Sequence, residues 1–499
     1  MKAQKKTLKL SDVSKNRLSV LAALSAGLYP LTFLYKSNHT LYASWYHIKW
    51  VAIIYIVLPI IIFLSTSLLG LKIKFIDKHK LKVLTVLNLT FFTGLLLYSA
   101  YGLQKKLLIL AILIAVLLGV LVYKHLLKII KFQFLLAIIG IIFLMPILFT
   151  YTNYNKNWLE QDNKIESVQF KKTPNIYLIQ PDGYVGLSEL TKGNYGKDTS
   201  AFANFLLANG FTLYPNFRSN YYSTLSSNAS LFAMKHHYFH GLIDSSSELM
   251  LARDIITSDN PVLNILRNNN YTTSLILENS YLLASRPKIG YDYCNVSYKD
   301  LSVFAKGFEF KRNVLKDLEN AIKTNDKGSQ FYFVEKIIPG HIATLKSTSK
   351  GKEIEKELYL KRLEDANKWL AETIKLIETY DANSLIIIAS DHGGFVGYDY
   401  SSQAHQKPNS KENTLSMFSS LLAIKWPDNP KLYDADLNTS VNLFRSVFSY
   451  LSSDTTLLDT TQEDKSYLLV TKDAPQDLYE VIDENGNVVF KTFNLNEKL

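Results

Sequence analysis

Apolar and polar positions divide this chain into two unlike halves. Up to residue 151 the apolar residues come in long uncharged runs, at 18–35, 50–71, 83–104, 107–123 and 132–151. Runs of this length match the roughly 17 to 25 residues a helix needs to cross the hydrocarbon of a bilayer, so they predict five membrane spans. The first run contains Gly27 and Pro30, and no small-residue cleavage site follows it, which favours a span over a signal peptide.

Beyond a polar stretch at 152–173, read as a tether, the pattern changes to short apolar runs alternating with helical ones. Strands are predicted at 175–180, 272–277, 330–335, 384–390 and 420–424, and helices at 200–209, 260–269 and 353–380. Continuously apolar strands separated by amphipathic helices predict a mainly parallel α/β sheet covered on both faces. Asn485-Gly486 lies between two β-prone runs and predicts a hairpin near the end. The expected organisation is a membrane domain at 1–151, a linker at 152–173 and an outer α/β domain at 174–499, too long in sum for one core.

Charge refines this division. The net charge is +11, yet residues 1–150 hold 18 Lys and Arg against 2 Asp and Glu, leaving 37 against 42 for the remainder. The basicity belongs to the membrane half and is not a nucleic-acid footprint. It is concentrated in the N-terminal tail (Lys2, Lys5, Lys6, Lys9, Lys15, Arg17) and in the second and fourth loops. The positive-inside rule puts those segments in the cytoplasm, and an odd number of spans then puts the outer domain on the far side of the cell membrane. The spans contain no Asp, Glu, Lys, Arg or His, which argues against a channel or transporter. Cys294 is the one cysteine, so no internal disulfide is available and the outer domain depends on its core.

Chemistry gathers at predicted strand ends. SLIIIASDHGGF drives a strand into Asp391 and His392, and NIYLIQPDGYVG places Asp182 in the same relation to the first strand. In parallel sheets ligands bind beyond the carboxyl ends of strands. Two carboxylates and an imidazole there suit one divalent cation such as Zn²⁺, Mn²⁺ or Mg²⁺. Between these strands, FRSNYYSTLSSNASLF puts Thr224 ahead of a run that could start a helix. A hydroxyl beside a cation and a helix N-terminus is favoured as an alkoxide and meets anions with backbone N–H groups. Thr224 is therefore a candidate nucleophile, against the alternative of a Ser/Thr-rich capping loop. Ser223, Ser226 and Ser227 are near enough to compete.

The order Asp182, Thr224, His341, Asp391-His392-Gly393, His405 resembles the sulfatase-like phosphotransferases of the alkaline phosphatase superfamily over roughly residues 173–430. Lipoteichoic acid synthases and lipid A phosphoethanolamine transferases are similar in having five spans before such a domain. The resemblance implies an alkaline-phosphatase-like α/β sandwich, with Asp182, Thr224, Asp391 and His392 on one metal. It also implies that His341 and His405 handle the substrate phosphate or the leaving group, with Lys407 and Arg218 as further phosphate contacts. Two departures narrow it. Tyr-Ser-Thr-Leu-Ser stands where sulfatases have C-x-P-x-R, so no formylglycine can form. Ile337 stands where two-metal relatives place an Asp four residues before the His, which leaves one metal expected.

The expected activity is transfer of a phospholipid headgroup, phosphoethanolamine or glycerophosphate, to a cell-surface glycan or lipid through a phospho-threonine. The alternatives are a phosphodiesterase or phosphatase of the same fold, or a non-catalytic membrane partner protein. His236, His237 and His240 in KHHYFHG fit no ligand spacing and are expected on an exposed loop near the cleft, while Tyr221 and Tyr222 are expected to pack.

Overall fold

The computed structural model describes residues 15–240, 248–324, 328–430 and 432–493. Lys2, Lys5, Lys6 and Lys9 of the basic tail lie outside them. Two compact units divide the chain, Met1–Tyr154 and Asn155–Leu499.

The first unit is helical: α1 (Lys15–Asn38), α2 (Trp45–Ala52) leading through a π turn into α3 (Leu58–Lys72), the short α4 (Lys74–Lys78), α5 (Lys80–Tyr101), α6 (Lys105–Val122) and α7 (Leu126–Asn153). Among the described residues, four helical stretches are long and apolar enough to cross a membrane, the last being Lys105–Asn153. That stretch has 49 residues. At 1.5 Å per residue it would reach roughly 74 Å, more than twice a hydrocarbon core. It breaks at Tyr123–His125. Gly119 of α6 packs against Val86 near the start of α5, so these two helices are antiparallel. Ser25 bonds Gln133 and Tyr151 bonds the His39 carbonyl, so α7 runs parallel to α1. Asn88 and Ser99 of α5 bond the Ala22 and Pro30 carbonyls of α1, so α5 is parallel to α1 and the two halves of the stretch run in opposite senses.

The second unit is built on a seven-stranded sheet in the order β2-β7-β6-β1-β5-β3-β4. Its strands are β1 (Ile176–Pro181), β2 (Thr212–Leu213), β3 (Thr272–Leu277), β4 (Tyr293–Cys294), β5 (Gln330–Lys336), β6 (Leu385–Ala389) and β7 (Leu422–Lys425). The pairs among β6, β1, β5, β3 and β4 are parallel. The β7 and β2 edge is antiparallel, because β7 follows its neighbour β6 without a crossover that returns it to the same sense. β8 (Ser466–Val470), β9 (Asp477–Ile482) and β10 (Val488–Thr492) form a separate antiparallel sheet, with the expected hairpin turn between β9 and β10.

Helices are α8 (Leu187–Leu190), α9 (Ser200–Ala208), α10 (Thr224–Ala233), α11 (Ala252–Thr257), α12 (Pro261–Asn268), α13 (Val314–Thr324), α14 (Lys352–Tyr380), α15 (Lys411–Phe418) and α16 (Leu443–Ser452). Strand alternation assigns the layers. On one face, Phe333 of β5 meets Phe232 of α10 and Phe331 meets Phe444 of α16. On the other, Tyr177 and Tyr332 stack with centroids 4.8 Å apart and Tyr177 donates to Asp381 just past α14. Such an aromatic pair is worth about 0.5–1.5 kcal/mol beyond its burial. The stretch read as a tether also contributes: Ile165 is fully buried, and Gln161 bonds both Ala233 and Arg445. From Asn155 onward it is docked, held by short 3-10 turns that have no helical or strand periodicity to read.

Candidate active site

β1 and β6 are neighbours, so Asp182 and Asp391 emerge side by side at the carboxyl edge of the sheet. Asp391 is fixed first: its Oδ1 accepts the backbone N–H groups of Gly183 and His392, both at 3.0 Å. Its Oδ2 is buried and has no hydrogen-bond partner. His392 Nδ1 lies 2.8 Å from the Gly393 carbonyl, and a carbonyl can only accept, so Nδ1 carries the proton. The Nε2 lone pair therefore faces Asp391 Oδ2 at 3.4 Å and Asp182 Oδ1 at 3.6 Å. Holding one imidazole nitrogen on a backbone carbonyl so that the other is free is the usual support of a metal-binding histidine.

The glycines make this geometry possible. Gly183 has φ +66°, and a Cβ there would lie 2.8 Å from the Gly340 carbonyl group. At Gly393 a Cβ would come 2.2 Å from the Ser416 carbonyl oxygen. The loop after β1, the turn before His341 and the end of α15 thus press directly on the ends of β1 and β6.

Thr224 is the first residue of α10, after Ser223 at the cap. Its hydroxyl donates to Asp182 Oδ1 at 3.1 Å and lies 3.3 Å from His392 Nε2. α10 is held against β1 by Asn228 and Gln180, whose side-chain amides exchange two hydrogen bonds of 2.8 Å. Ser223 instead bonds Ser226, and Ser227 is buried with an unpartnered hydroxyl. Thr224 alone of the four hydroxyls makes a described hydrogen bond to the Asp-His set.

Ligand atoms of Asp182, Asp391 and His392 all lie within 4.8 Å of one another, and all three residues are buried. Burial, then the charge of Asp391, drives the Asp182 carboxyl far above the usual carboxylate range. Burial lowers the basicity of His392, but Asp391 and Asp182 outweigh it and the net shift is upward. Such a set strains against its own charge and is relieved by a cation. A free carboxylate oxygen, an oriented imidazole lone pair and a hydroxyl at one point fit a divalent ion with mixed O and N ligands.

His341 stands beside this set, its ring centroid 6.0 Å from that of His392. Its Nδ1 donates to the Ile342 carbonyl at 2.6 Å, and burial lowers its pKa to about 4, so it is neutral with a lone pair at Nε2. His405 Nδ1 lies 3.0 Å from the hydroxyl of Tyr222, two residues before Thr224 in the chain.

Two expectations are corrected. Arg218 does not face the triad; its guanidinium donates to the carbonyls of Asp464 and Asp483. It lines a separate polar cavity of about 520 Å³, with Lys192, Lys411 and Asn485. Lys407 Nζ lies 4.8 Å from the centroid of the Phe490 ring. His236 and His237 are not on an exposed loop: they are buried, and His237 stacks on Tyr221 at 3.8 Å.

Glu335 was not anticipated. It sits on β5 in register with Gln180, is 1% exposed, and its Oε1 has no partner. Burial, then Asp182, Asp391 and Glu278, raise its pKa well above the usual range. The signal was available, an apolar strand ending in an acid, but no glycine or histidine follows it.

The outer unit thus has the mainly parallel α/β sheet that the hydrophobic pattern predicts, with Asp182 and Asp391 at the carboxyl ends of adjacent strands. No protein-family model and no curated protein sequence matches the chain. Among solved structures it is similar to the zinc complex of the C-terminal periplasmic domain of EcEptC from Escherichia coli, at 13% identity over 56% of this chain and 83% of that one, TM-score 0.38. The integral membrane lipooligosaccharide phosphoethanolamine transferase A of Neisseria meningitidis matches at 13% over 87% and 95%, TM-score 0.39. The lipoteichoic acid synthase LtaP of Listeria monocytogenes matches at 14% over 67% and 93%, TM-score 0.39. All three TM-scores lie below 0.5, and the chemistry of the site rests on its own geometry.

Proposed function

We propose that this chain is a membrane-anchored, metal-dependent phosphotransferase with its catalytic domain outside the cytoplasmic membrane, carried by five spans. The observation that supports this best is the Thr224 hydroxyl, which meets Asp182 and His392 at the N-terminus of α10. Asp182, Asp391, His392 and Thr224 would hold the cation, which when bound supplies positive charge to lower the hydroxyl pKa and to polarise a phosphoryl oxygen.

Thr224 Oγ1 attacks the phosphorus of a phospholipid headgroup and passes its proton to solvent or to a neighbouring base. The bond from phosphorus to the diacylglycerol oxygen breaks, and diacylglycerol leaves with a proton. A hydroxyl of a surface glycan or lipid then attacks the phospho-threonine, and Thr224 regains its proton as its bond to phosphorus breaks. The free backbone N–H groups at the start of α10 face the anionic phosphoryl oxygens. His341, neutral with an open Nε2, is suited to take the proton of the acceptor hydroxyl. His405, steered by Tyr222, contacts the phosphate or the leaving oxygen. Tethering to the membrane raises the effective concentration of the lipid donor.

Incubation of the full chain with phosphatidylethanolamine or phosphatidylglycerol, followed by peptide mass mapping, tests this. A headgroup-phosphate adduct on Thr224 that is discharged by a glycan acceptor is the expected result. Free headgroup phosphate with no modified acceptor would make the enzyme a hydrolase, and no adduct and no turnover would leave a partner protein.

A further inference from the structure

Lys82 stands where the polar second loop gives way to the apolar run of α5, and it is half-buried. Its Nζ lies 4.9 Å from the centroid of the Tyr123 ring, and among the described residues no carboxylate pairs with it. Acids are scarce in this part of the chain: residues 72–82 and 124–131 carry eight lysines against one acid, Asp77. An ammonium half-buried at the edge of the hydrocarbon with no counter-charge is costly, and an anion from outside the chain would relieve it.

The surroundings of Lys82 define that anion. Lys82 lines a cleft of about 400 Å³ together with Phe75 of α4, His79, Val86 of α5, and Val116 and Val120 of α6. α5 and α6 are antiparallel, with Gly119 against Val86, so the start of α5 and the end of α6 form one basic end of the unit. His79 and Lys82 come about a turn before Val86, which puts the polar groups at one end of the cleft and the valines along the rest. Phe75, Val116 and Val120 are exposed, so the cleft opens toward the lipid side. A cationic end with an apolar length has the polarity of a phospholipid. A zwitterionic headgroup brings its own cation close to the lysines, whereas an anionic one does not. The positive-inside rule places this end of the helices in the cytoplasmic leaflet, where anionic lipids attract basic segments.

We propose that the cleft between α5 and α6 binds one anionic phospholipid of the inner leaflet, with its phosphate on Lys82 and His79 and an acyl chain along Val86, Val116 and Val120. The bound lipid supplies the counter-charge that the chain itself does not give Lys82 and fills the cleft beside the Gly119 contact. This inference rests on the reading of the first unit as membrane-spanning, and it is independent of the chemistry proposed for the second.

The test is native mass spectrometry of the detergent-solubilised full chain, titrated with dioleoyl-phosphatidic acid, which has no headgroup to transfer, or with dioleoyl-phosphatidylcholine. The expected result is one phosphatidic acid bound at least about fivefold more tightly than any phosphatidylcholine, the discrimination that a single lysine supplies. Lys82→Gln should lose that preference. Val120→Trp, which fills the apolar length and leaves the charges alone, should lose the bound lipid. Lys128→Gln changes a fourth-loop lysine that does not line the cleft and should keep both. Equal affinity of the wild type for the two lipids overturns the inference, and so does a tight site that survives both Lys82→Gln and Val120→Trp. Loss in Lys82→Gln alone would mean that a headgroup binds the loop without the cleft, and a dimer that forms only in the absence of lipid would put a second copy there; either overturns it. Since the wild type alone can decide against it, poor folding of a variant does not rescue the proposal.

Discussion

Thr224, the first residue of α10, and Asp182, the first residue beyond β1, are joined by a 3.1 Å hydrogen bond between side chains 42 positions apart. A helix start and a strand end have been brought to one point, and the point is also where His392 directs its free nitrogen. A residue that only capped the helix would be replaceable; a nucleophile is not. Thr224→Ala is expected to lower transfer by about a thousandfold or more, the scale seen when a covalent nucleophile is removed. Thr224→Ser keeps the oxygen and should retain measurable turnover. Ser223→Ala, Ser226→Ala and Ser227→Ala should still form the mass adduct on residue 224, and an adduct that migrates to one of them would reassign the nucleophile.

Gly183 links the two strand ends. Its N–H holds Asp391, and its α-carbon sits against the Gly340 carbonyl with no room for a methyl group. Gly183→Ala adds a Cβ at a positive φ and forces the His341 turn outward. A backbone position of this kind costs on the order of 1–3 kcal/mol when filled by an L residue. The expected outcome is a lower denaturation midpoint together with weaker Mn²⁺ binding. Gly196→Ala serves as a control, since it also has positive φ but no atom within 4 Å of the added carbon; it should lose stability without losing metal affinity.

Much of the site was legible because burial and chemistry coincide in the chain. An apolar strand that ends abruptly in Asp391-His392, or in Asp182, announces a polar group placed at a sheet edge. Glu335 ends QFYFVE in the same way and passed unnoticed, since an acid before a lysine also reads as the ordinary end of a strand. His237 shows the opposite failure. KHHYFHG looks solvent-loving, but His237 packs against Tyr221 and Trp158, contacts that no local pattern reveals. The edge strands β2 and β4, two residues each, are set by their neighbours and leave no periodicity.

In the membrane unit, Asn88 of α5 donates to the Ala22 carbonyl at 2.7 Å and exchanges hydrogen bonds with Gln133 of α7, while Ser25 of α1 donates to Gln133 at 2.7 Å. Three helices thus share one buried polar cluster, within spans that carry no charge. Hydrogen bonds between membrane helices are worth about 0.6 kcal/mol each on average, with a maximum near 1.7. Asn88→Leu removes several at once and takes the Asn88 acceptor from the Gln133 amide N–H. It should lower the thermal midpoint of the bundle in detergent, whereas Asn88→Leu combined with Gln133→Leu should recover part of the loss. A double variant no better than the single would show that the cluster does not act as a unit.

His237, outside the proposed metal-binding set, gives a pH prediction. Its Nδ1 accepts the Phe239 N–H at 2.9 Å, so Nε2 carries the proton and donates to the Ser226 carbonyl at 3.0 Å. Burial, with no carboxylate to offset it, lowers its pKa from 6.5 to about 3. The unfolded chain therefore binds a proton on this residue at a higher pH than the folded chain does. Above pH 6.5 both states are neutral and His237 adds no pH dependence. Between 6.5 and about 3 the unfolded state gains the proton first, so stability falls with pH by up to about 1.4 kcal/mol per unit from this group. His341 acts in the same sense down to about 4, and is common to wild type and variant. His237→Phe lacks the titrating group but keeps the ring over Tyr221. Urea midpoints of the full chain measured from pH 7 to pH 4 should therefore fall less steeply in His237→Phe than in wild type, even if the variant is less stable at pH 7. Parallel slopes would mean that His237 takes up its proton in the folded protein, and that the Tyr221 stack opens to water.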